Sequence, residues 1–221
     1  MKDGNARCKQ VIKRIELLYV EALAFENSRL AEESQVLSGF AKTRSEFEVF
    51  VKEQLEKKTL SRFFTRHDFD DKILSFHVKI DYFFRALRLE HITESNEWRK
   101  SYDECRKRDH DLILDAVSGT FTLISEYKGR DLREAAMLMH FAIANSKGSN
   151  SRRFSREDIA LMEKTRNAMA ARFSFGVDSL PRWYIPSEDV AASDISLDMG
   201  TFGAITRGKW HGSPVVIKRL L

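Results

Sequence analysis

The chain has 221 residues, 43% hydrophobic and 32% charged, which allows one large or two small domains and excludes a disordered polar segment. Thirty-seven basic against 33 acidic residues leave a net charge of +4. That mild, dispersed excess argues for neither nucleic acid nor a membrane surface as the main partner. The two cysteines, Cys8 and Cys105, have no close partner spacing and fit a reduced intracellular setting. Charges at Lys9, Lys13, Arg14 and Glu16 interrupt any signal-length apolar run. No stretch approaches the ~18 apolar residues of a membrane span. The expectation is a soluble, cytoplasmic protein.

Gly (10) and Pro (3) are scarce and Phe (16) is abundant, so long helices around an aromatic core are expected. Residues 7–31 carry Cys8, Val11, Ile12, Ile15, Leu18, Tyr19 and Ala22 at helical spacing. A second helix over 33–57 has Leu37, Phe40, Phe47, Phe50 and Val51 on one side, followed by a short apolar clip, Leu60-Ser61-Arg62-Phe63-Phe64. Asp70 or Asp71 is expected to cap a third helix, whose stripe runs Ile73, Phe76, His77, Ile80, Phe83, Phe84, Leu87 in steps of three and four. A fourth helix runs from Glu94 to about Val117, strongly charged between Arg99 and His110. Another covers 131–144, and residues 145–151 form a small, polar loop. Ser155 with Asp158 resembles a capping box for a helix over 156–172.

After Phe175 the pattern changes. Gly176, Pro181 and Pro186 mark an extended linker, and from Ile195 the hydrophobic period becomes two. Three short strands are expected. The first ends at Met199 and the second starts near Ala204, joined by a tight turn, Gly200-Thr201-Phe202-Gly203. The third holds Val215, Val216, Ile217 and Lys218. Glycines in such a turn let backbone amides approach phosphate oxygens. Phe202 at the tip would shield the phosphates, and a strand lysine, Lys218, would reach the α- and β-phosphates. Ile205 and Val216 would be the apolar walls above an adenine.

Four segments in order carry a resemblance: W-x-I-P at 183–186, the glycine-rich loop at 200–205, R-G-x-W-x-G at 207–212 and V-x-I-K at 215–218. Together they resemble the start of a tyrosine-kinase-like serine/threonine protein kinase. The resemblance implies ATP as cofactor, held by Leu197, Gly200, Thr201, Phe202, Gly203, Ile205, Val216 and Lys218, with Mg in the complete kinase. One residue departs from the family loop G-x-G-x-x-G: its first glycine is Asp198 here, and a carboxylate beside a triphosphate opposes binding by about 1 kcal/mol when exposed.

The match covers about the first seventh of a kinase domain and has no counterpart of the glutamate-bearing helix, the H-R-D loop or the D-F-G segment. No complete set of catalytic residues and no metal ligands are therefore expected, and the chain alone is predicted to be inactive. A lobe stopping after its third strand leaves a bare edge, and an incomplete gene model is the expected cause.

More weakly, residues 1–127 resemble the helical bundle of mixed-lineage-kinase-domain-like proteins. The carriers are the Phe47-Phe50-Val51 helix, the 60–64 clip and D-K-I-L-S-F-H-V-K-I-D at 71–81. That resemblance implies a regulatory bundle, a homo-oligomer or a contact with membrane lipid, and a downstream kinase lobe in cis as partner. Other motifs read more plainly. His77 is a core histidine, His67 with Asp68 and Asp70 a cap and polar loop, and Arg106-Lys107-Arg108 a solvated helix face. Arg152-Arg153-Phe154-Ser155 fits both a basophilic kinase target and a helix start. The expected fold is mainly α: a bundle of four or more helices (1–127), further helices (128–175), a Pro-containing linker (176–194) and an incomplete three-stranded antiparallel piece of a kinase N-lobe (195–221). The alternative is a non-catalytic interaction, oligomerisation or membrane-binding module with a vestigial kinase segment.

Overall fold

The computed structural model describes residues 6–25, 32–89, 94–127, 130–146, 154–173, 180, 184–186, 189–200 and 203–220. The chain is mainly helical, with one open three-stranded antiparallel sheet. It divides into two units, Met1–Glu126 and Tyr127–Leu221. Among the described residues no helix is long and apolar enough to cross a membrane.

The first unit holds α1 (Ala6–Phe25), α2 (Glu32–Glu56), α3 (Thr59–Phe64), α4 (Arg66–Ala86), α5 (Glu94–Ser118) and α6 (Thr120–Glu126). The predicted stripe of α4 is buried along its whole length, from Ile73 to Leu87. Rings from α2 close over it. Phe47 meets Phe76 edge-on at 5.0 Å between centroids, Phe40 meets Phe83 edge-on at 5.7 Å, and Phe50 stacks on Phe69 at 5.4 Å. Each such pair adds about 0.5–1.5 kcal/mol beyond the area it buries.

From α1, Val11, Ile15, Leu18 and Ala22 enter the same core, whereas Ile12 and Tyr19 are exposed. The buried face of α1 also carries two arginines two helical turns apart. Arg7 donates from Nε to Asp109 Oδ2 at 2.9 Å and from Nη1 to Asp70. Asp109 Oδ1 also accepts from the backbone N–H of Ala6 at 3.0 Å, at the very start of the helix. His110 Nε2 lies 3.1 Å from Asp70 Oδ2. Arg14 binds Asp81, which Arg99 also binds, and donates to His77 Nδ1 at 3.0 Å and to the His77 carbonyl at 3.1 Å. A guanidinium only donates, so Nδ1 accepts and the His77 proton sits on Nε2. That Nε2 is buried without a partner, and the ring lies flat on Trp98 with centroids 3.9 Å apart. Two buried cations on α1 are thus matched by acids on α4 and α5, which pins α1 against both.

Asp70 corrects the sequence expectation. The helix begins at Arg66, directly after Thr65, with no side-chain cap. The Phe69 N–H bonds to the Thr65 carbonyl at 3.0 Å, so the chain turns straight from α3 into α4. Asp70 lies one turn inside and binds Arg7. His67 and Asp68 lie in that first turn of helix rather than in a loop.

The second unit contains α7 (Arg130–Asn145), α8 (Arg156–Phe173) and the strands β1 (Val190–Gly200), β2 (Gly203–Trp210) and β3 (Ser213–Leu220). The helix pair packs through small and flexible residues; Ala135, Ala136, Met139, Met162 and Met169 are all buried. The capping box at the start of α8 is reciprocal. Ser155 N–H donates to Asp158 Oδ2 at 2.8 Å, and Asp158 N–H donates to Ser155 Oγ at 3.1 Å. Arg152 and Arg153 lie outside the described residues. In the 176–194 segment, Tyr184 sets its ring against Phe141 of α7 at 5.6 Å. The extended segment is shorter than expected at its far end, because β1 begins at Val190 rather than Ile195. Val190, Ala191 and Ala192 pair with Trp210, Lys209 and Gly208.

The ion pairs of α1 set how the first unit responds to acid. Burial, then the charges of Arg14 and Arg99, pushes the His77 pKa from 6.5 down to about 3. Burial raises the Asp70 pKa, but hydrogen bonds from His110 and Arg7 outweigh it and hold the group below its ordinary 3.8. In both cases the unfolded chain binds more protons, so stability is complete above the unfolded pKa and falls with pH. Urea titrations should show stability falling from about pH 6.5 toward pH 4, at up to about 1.4 kcal/mol per unit from His77, and His77→Gln should flatten that slope. Asp109→Ala, which strands Arg7 Nε and the Ala6 N–H, should lower the unfolding free energy by about 3 kcal/mol. A loss below about 0.5 kcal/mol, the size expected of a surface pair, would contradict the buried role.

Candidate nucleotide-binding face

The sheet is a meander of order β1-β2-β3. The β2–β3 hairpin closes on the two-residue loop His211-Gly212, with φ of 46° and 84°. Positive φ at both positions is the turn geometry whose twist matches a β-hairpin, and Gly212 adopts it without strain. At the other end of β2, Gly200 pairs with Gly203, whose φ is 146°. Thr201 and Phe202, between them, lie outside the described residues.

Gly208 is a glycine for a different reason. A Cβ there would sit 2.5 Å from Ile217 Cδ1 and 2.9 Å from the Ala191 carbonyl oxygen. The Ile217 side chain packs over the bare backbone of Gly208, and β1 approaches from its other flank. The R-G-x-W-x-G segment thus uses its first glycine for close packing and its second for a turn.

The register assigns faces. Ile205 stands opposite Lys218, and Arg207 opposite Val216. Directly opposed residues project to the same side, as do alternate residues of one strand. Ile205, Arg207, Val216 and Lys218 therefore share one face, and Lys209 continues it. On β1, Ser196 pairs with Thr206 and Asp198 with Ile205, so Leu197 is the extra residue of a β-bulge against Ile205. Val216 is 68% exposed and Leu197 45%, whereas Val215 and Ile217 on the reverse face are partly covered. Leu197, Ile205, Val216 and Lys218, far apart in sequence, are brought to one patch. Gly200 and Gly203 lie at the end of the sheet where β1 turns into β2.

Arg207 and Lys209 were not among the sequence candidates. Their signal was period two from Ile205, which places them on its face. Lys209, Arg207 and Lys218 are exposed and make no ion pair with a described residue. The patch is an apolar strip edged by three cations that no described acid pairs with, a donor set suited to a planar base joined to phosphates. The register puts the backbone of Asp198 on the same patch, opposite Ile205.

Apart from the Arg152–Ser155 segment, the other sequence candidates lie in the first unit. His77 is a fully buried core histidine, though with its Nε2 unsatisfied. Arg106, Lys107 and Arg108 are exposed on α5. The phenylalanine stripes are core. Cys8 and Cys105 are free, and burial, with Asp109 nearby, drives the Cys8 thiol up to about 12 and leaves it unreactive. Among the described residues no cluster of His, Cys, Asp and Glu is placed to hold a metal ion. Comparison with known proteins gave no match to a family model, a curated protein or a solved structure.

The two glycines of the R-G-x-W-x-G segment should separate by mechanism. Gly212→Ala, a strained turn with open space around it, should cost about 1 kcal/mol. Gly208→Ala should cost more, about 2 kcal/mol or above, because Ile217 or strand β1 must move. Hydrogen exchange of β2 and β3 amides measures both; equal effects would contradict the packing at Gly208.

Proposed function

We propose that this chain supplies the N-terminal regulatory helical region and the start of the ATP-binding lobe of a cytoplasmic serine/threonine protein kinase. The observation that carries the reading is the register of β2 against β3. It sets Ile205 directly across from Lys218 and Val216 on the same exposed face, at the glycine-closed hairpin. In that reading Leu197, Ile205 and Val216 bracket the adenine. The backbone amides of Gly200–Gly203 meet the phosphates, and Lys218 neutralises the α- and β-phosphates. Arg207 and Lys209 extend the positive field along the strand. The lysine stands on a three-stranded sheet rather than a loop, so its position costs little to fix on binding.

ATP itself would supply the transferred phosphoryl group. A base for a substrate hydroxyl and ligands for Mg belong to segments that have no counterpart in these residues. The downstream kinase lobe in cis is thus the first partner. The second reading, a non-catalytic interaction, oligomerisation or membrane-binding module with a vestigial kinase segment, is favoured by the exposed apolar residues Leu74, Val78 and Tyr82 on α4.

Mg-ATP should raise the melting temperature of this chain when it is continued through a complete kinase domain. Lys218→Met should weaken nucleotide binding by about tenfold or more, the size expected of a charged hydrogen bond. Asp198→Gly should tighten it by about fivefold, by removing roughly 1 kcal/mol of repulsion. Absence of any nucleotide-dependent shift in that protein would overturn the kinase reading and leave the interaction module. The 221 residues alone should transfer no phosphate to a generic substrate. For the membrane branch, failure of residues 1–175 to float with anionic liposomes at low salt would remove it.

A further inference from the structure

The outward face of α4 carries a pattern that its own fold does not use. Leu74, Val78 and Tyr82 follow one another at intervals of four and are 43%, 55% and 57% exposed. Asp71 and Arg85 stand seven residues before and after Val78, both exposed. Seven residues are two helical turns, so Asp71, Val78 and Arg85 fall on one line along the helix, with Leu74 and Tyr82 to either side. Neither charge has an ion-pair partner among the described residues; Arg85 Nε reaches only the carbonyl of Asp81 in its own helix, at 3.3 Å. Asp71 and Arg85 are about 21 Å apart along the axis, too far to meet each other.

The row is symmetric about Val78 in spacing and antisymmetric in charge. Turning a second copy end for end about an axis through Val78 sets Val78 on Val78, Leu74 on Tyr82, and Asp71 on Arg85 twice over. That is the requirement for a self-complementary twofold interface, in which each residue meets the partner of its mirror position. A positively charged or uniformly apolar partner would leave one end of the row repelled or unpaired.

We propose that α4 is the interface of an antiparallel homodimer, with Val78 on the twofold axis and reciprocal Asp71–Arg85 ion pairs closing both ends. The occupant of the face is a second copy of this chain. The interface rests on the second reading above, the oligomerisation module, and does not depend on nucleotide binding; it gives the helical region a way to bring two chains together. Three apolar side chains per copy make a small contact, so association is weak, on the order of tens of micromolar.

The test is sedimentation velocity of the full chain over roughly 1–300 µM, a range that brackets this affinity. The native chain should pass from monomer to dimer. Asp71→Arg alone and Arg85→Asp alone should each weaken association by about tenfold or more, since each places like charges together twice. The double variant Asp71→Arg with Arg85→Asp exchanges the pairs and should return the affinity to within about threefold of native. Because the two residues cannot touch within one chain, only contact between copies yields that rescue. All these positions are exposed, so circular dichroism should show native helix content in every variant. A chain that stays monomeric across the range, a dimer indifferent to Asp71→Arg, or a double variant as weak as the singles would overturn the proposal.

Discussion

Arg7 is a fully buried guanidinium, and the first unit is arranged around giving it partners. Removing a cation from water costs several kcal/mol, which only well-placed acids offset. Asp70 on α4 and Asp109 on α5 take its fork, and Asp109 also caps the first N–H of α1. Two turns along, Arg14 repeats the device with Asp81 and His77. Hydrophobic contacts alone would let α1 slide or rotate over an aromatic core at small cost. Two directional ion pairs at fixed spacing admit one register. They also fix the rotation of α4, since Asp70, His77 and Asp81 must face α1 while the phenylalanines face α2. Among the α4 residues left facing solvent is the row Asp71, Leu74, Val78, Tyr82 and Arg85.

The sheet follows a different physics. Its order comes from backbone pairing and from four glycines in three roles: Gly200 pairs with Gly203 where β1 meets β2, Gly212 takes a left-handed turn, and the backbone of Gly208 is pressed against Ile217. None of these requires a ligand. The patch they create does suggest one, because Val216 and Leu197 lie open to water beside three cations that no described acid neutralises.

Much of this was legible in the sequence. The α4 stripe is regular enough that every predicted core position is buried, and the Ser155–Asp158 box forms as expected, because both depend on contacts within one or two turns. The glycine–lysine strands are legible because turn glycines and period two are local signals. What was not legible is long-range. Nothing near Arg7 or Arg14 announces that acids more than sixty residues away will bury them; spacing alone places them on the apolar face, where an arginine is ordinarily unexpected. Asp70 looked like a cap because a cap is the local use of an aspartate before an apolar run, whereas its partner comes from α1. The early start of β1 was hidden because residues 191–194 are small or polar and two bulges break the alternation. Arg207 and Lys209 were within reach of period-two reasoning carried past Ile205.

The central functional claim is that one face of this sheet is a nucleotide cradle. The most direct measurement is a titration of Mg-ATP into isotopically labelled protein, followed by amide and methyl NMR shifts. The account predicts saturable changes confined to the Gly200–Gly203 turn, Leu197, Ile205, Val216 and Lys218, with Val215 and Ile217 on the reverse face little affected. Saturable shifts centred elsewhere, or none at millimolar nucleotide, would contradict it.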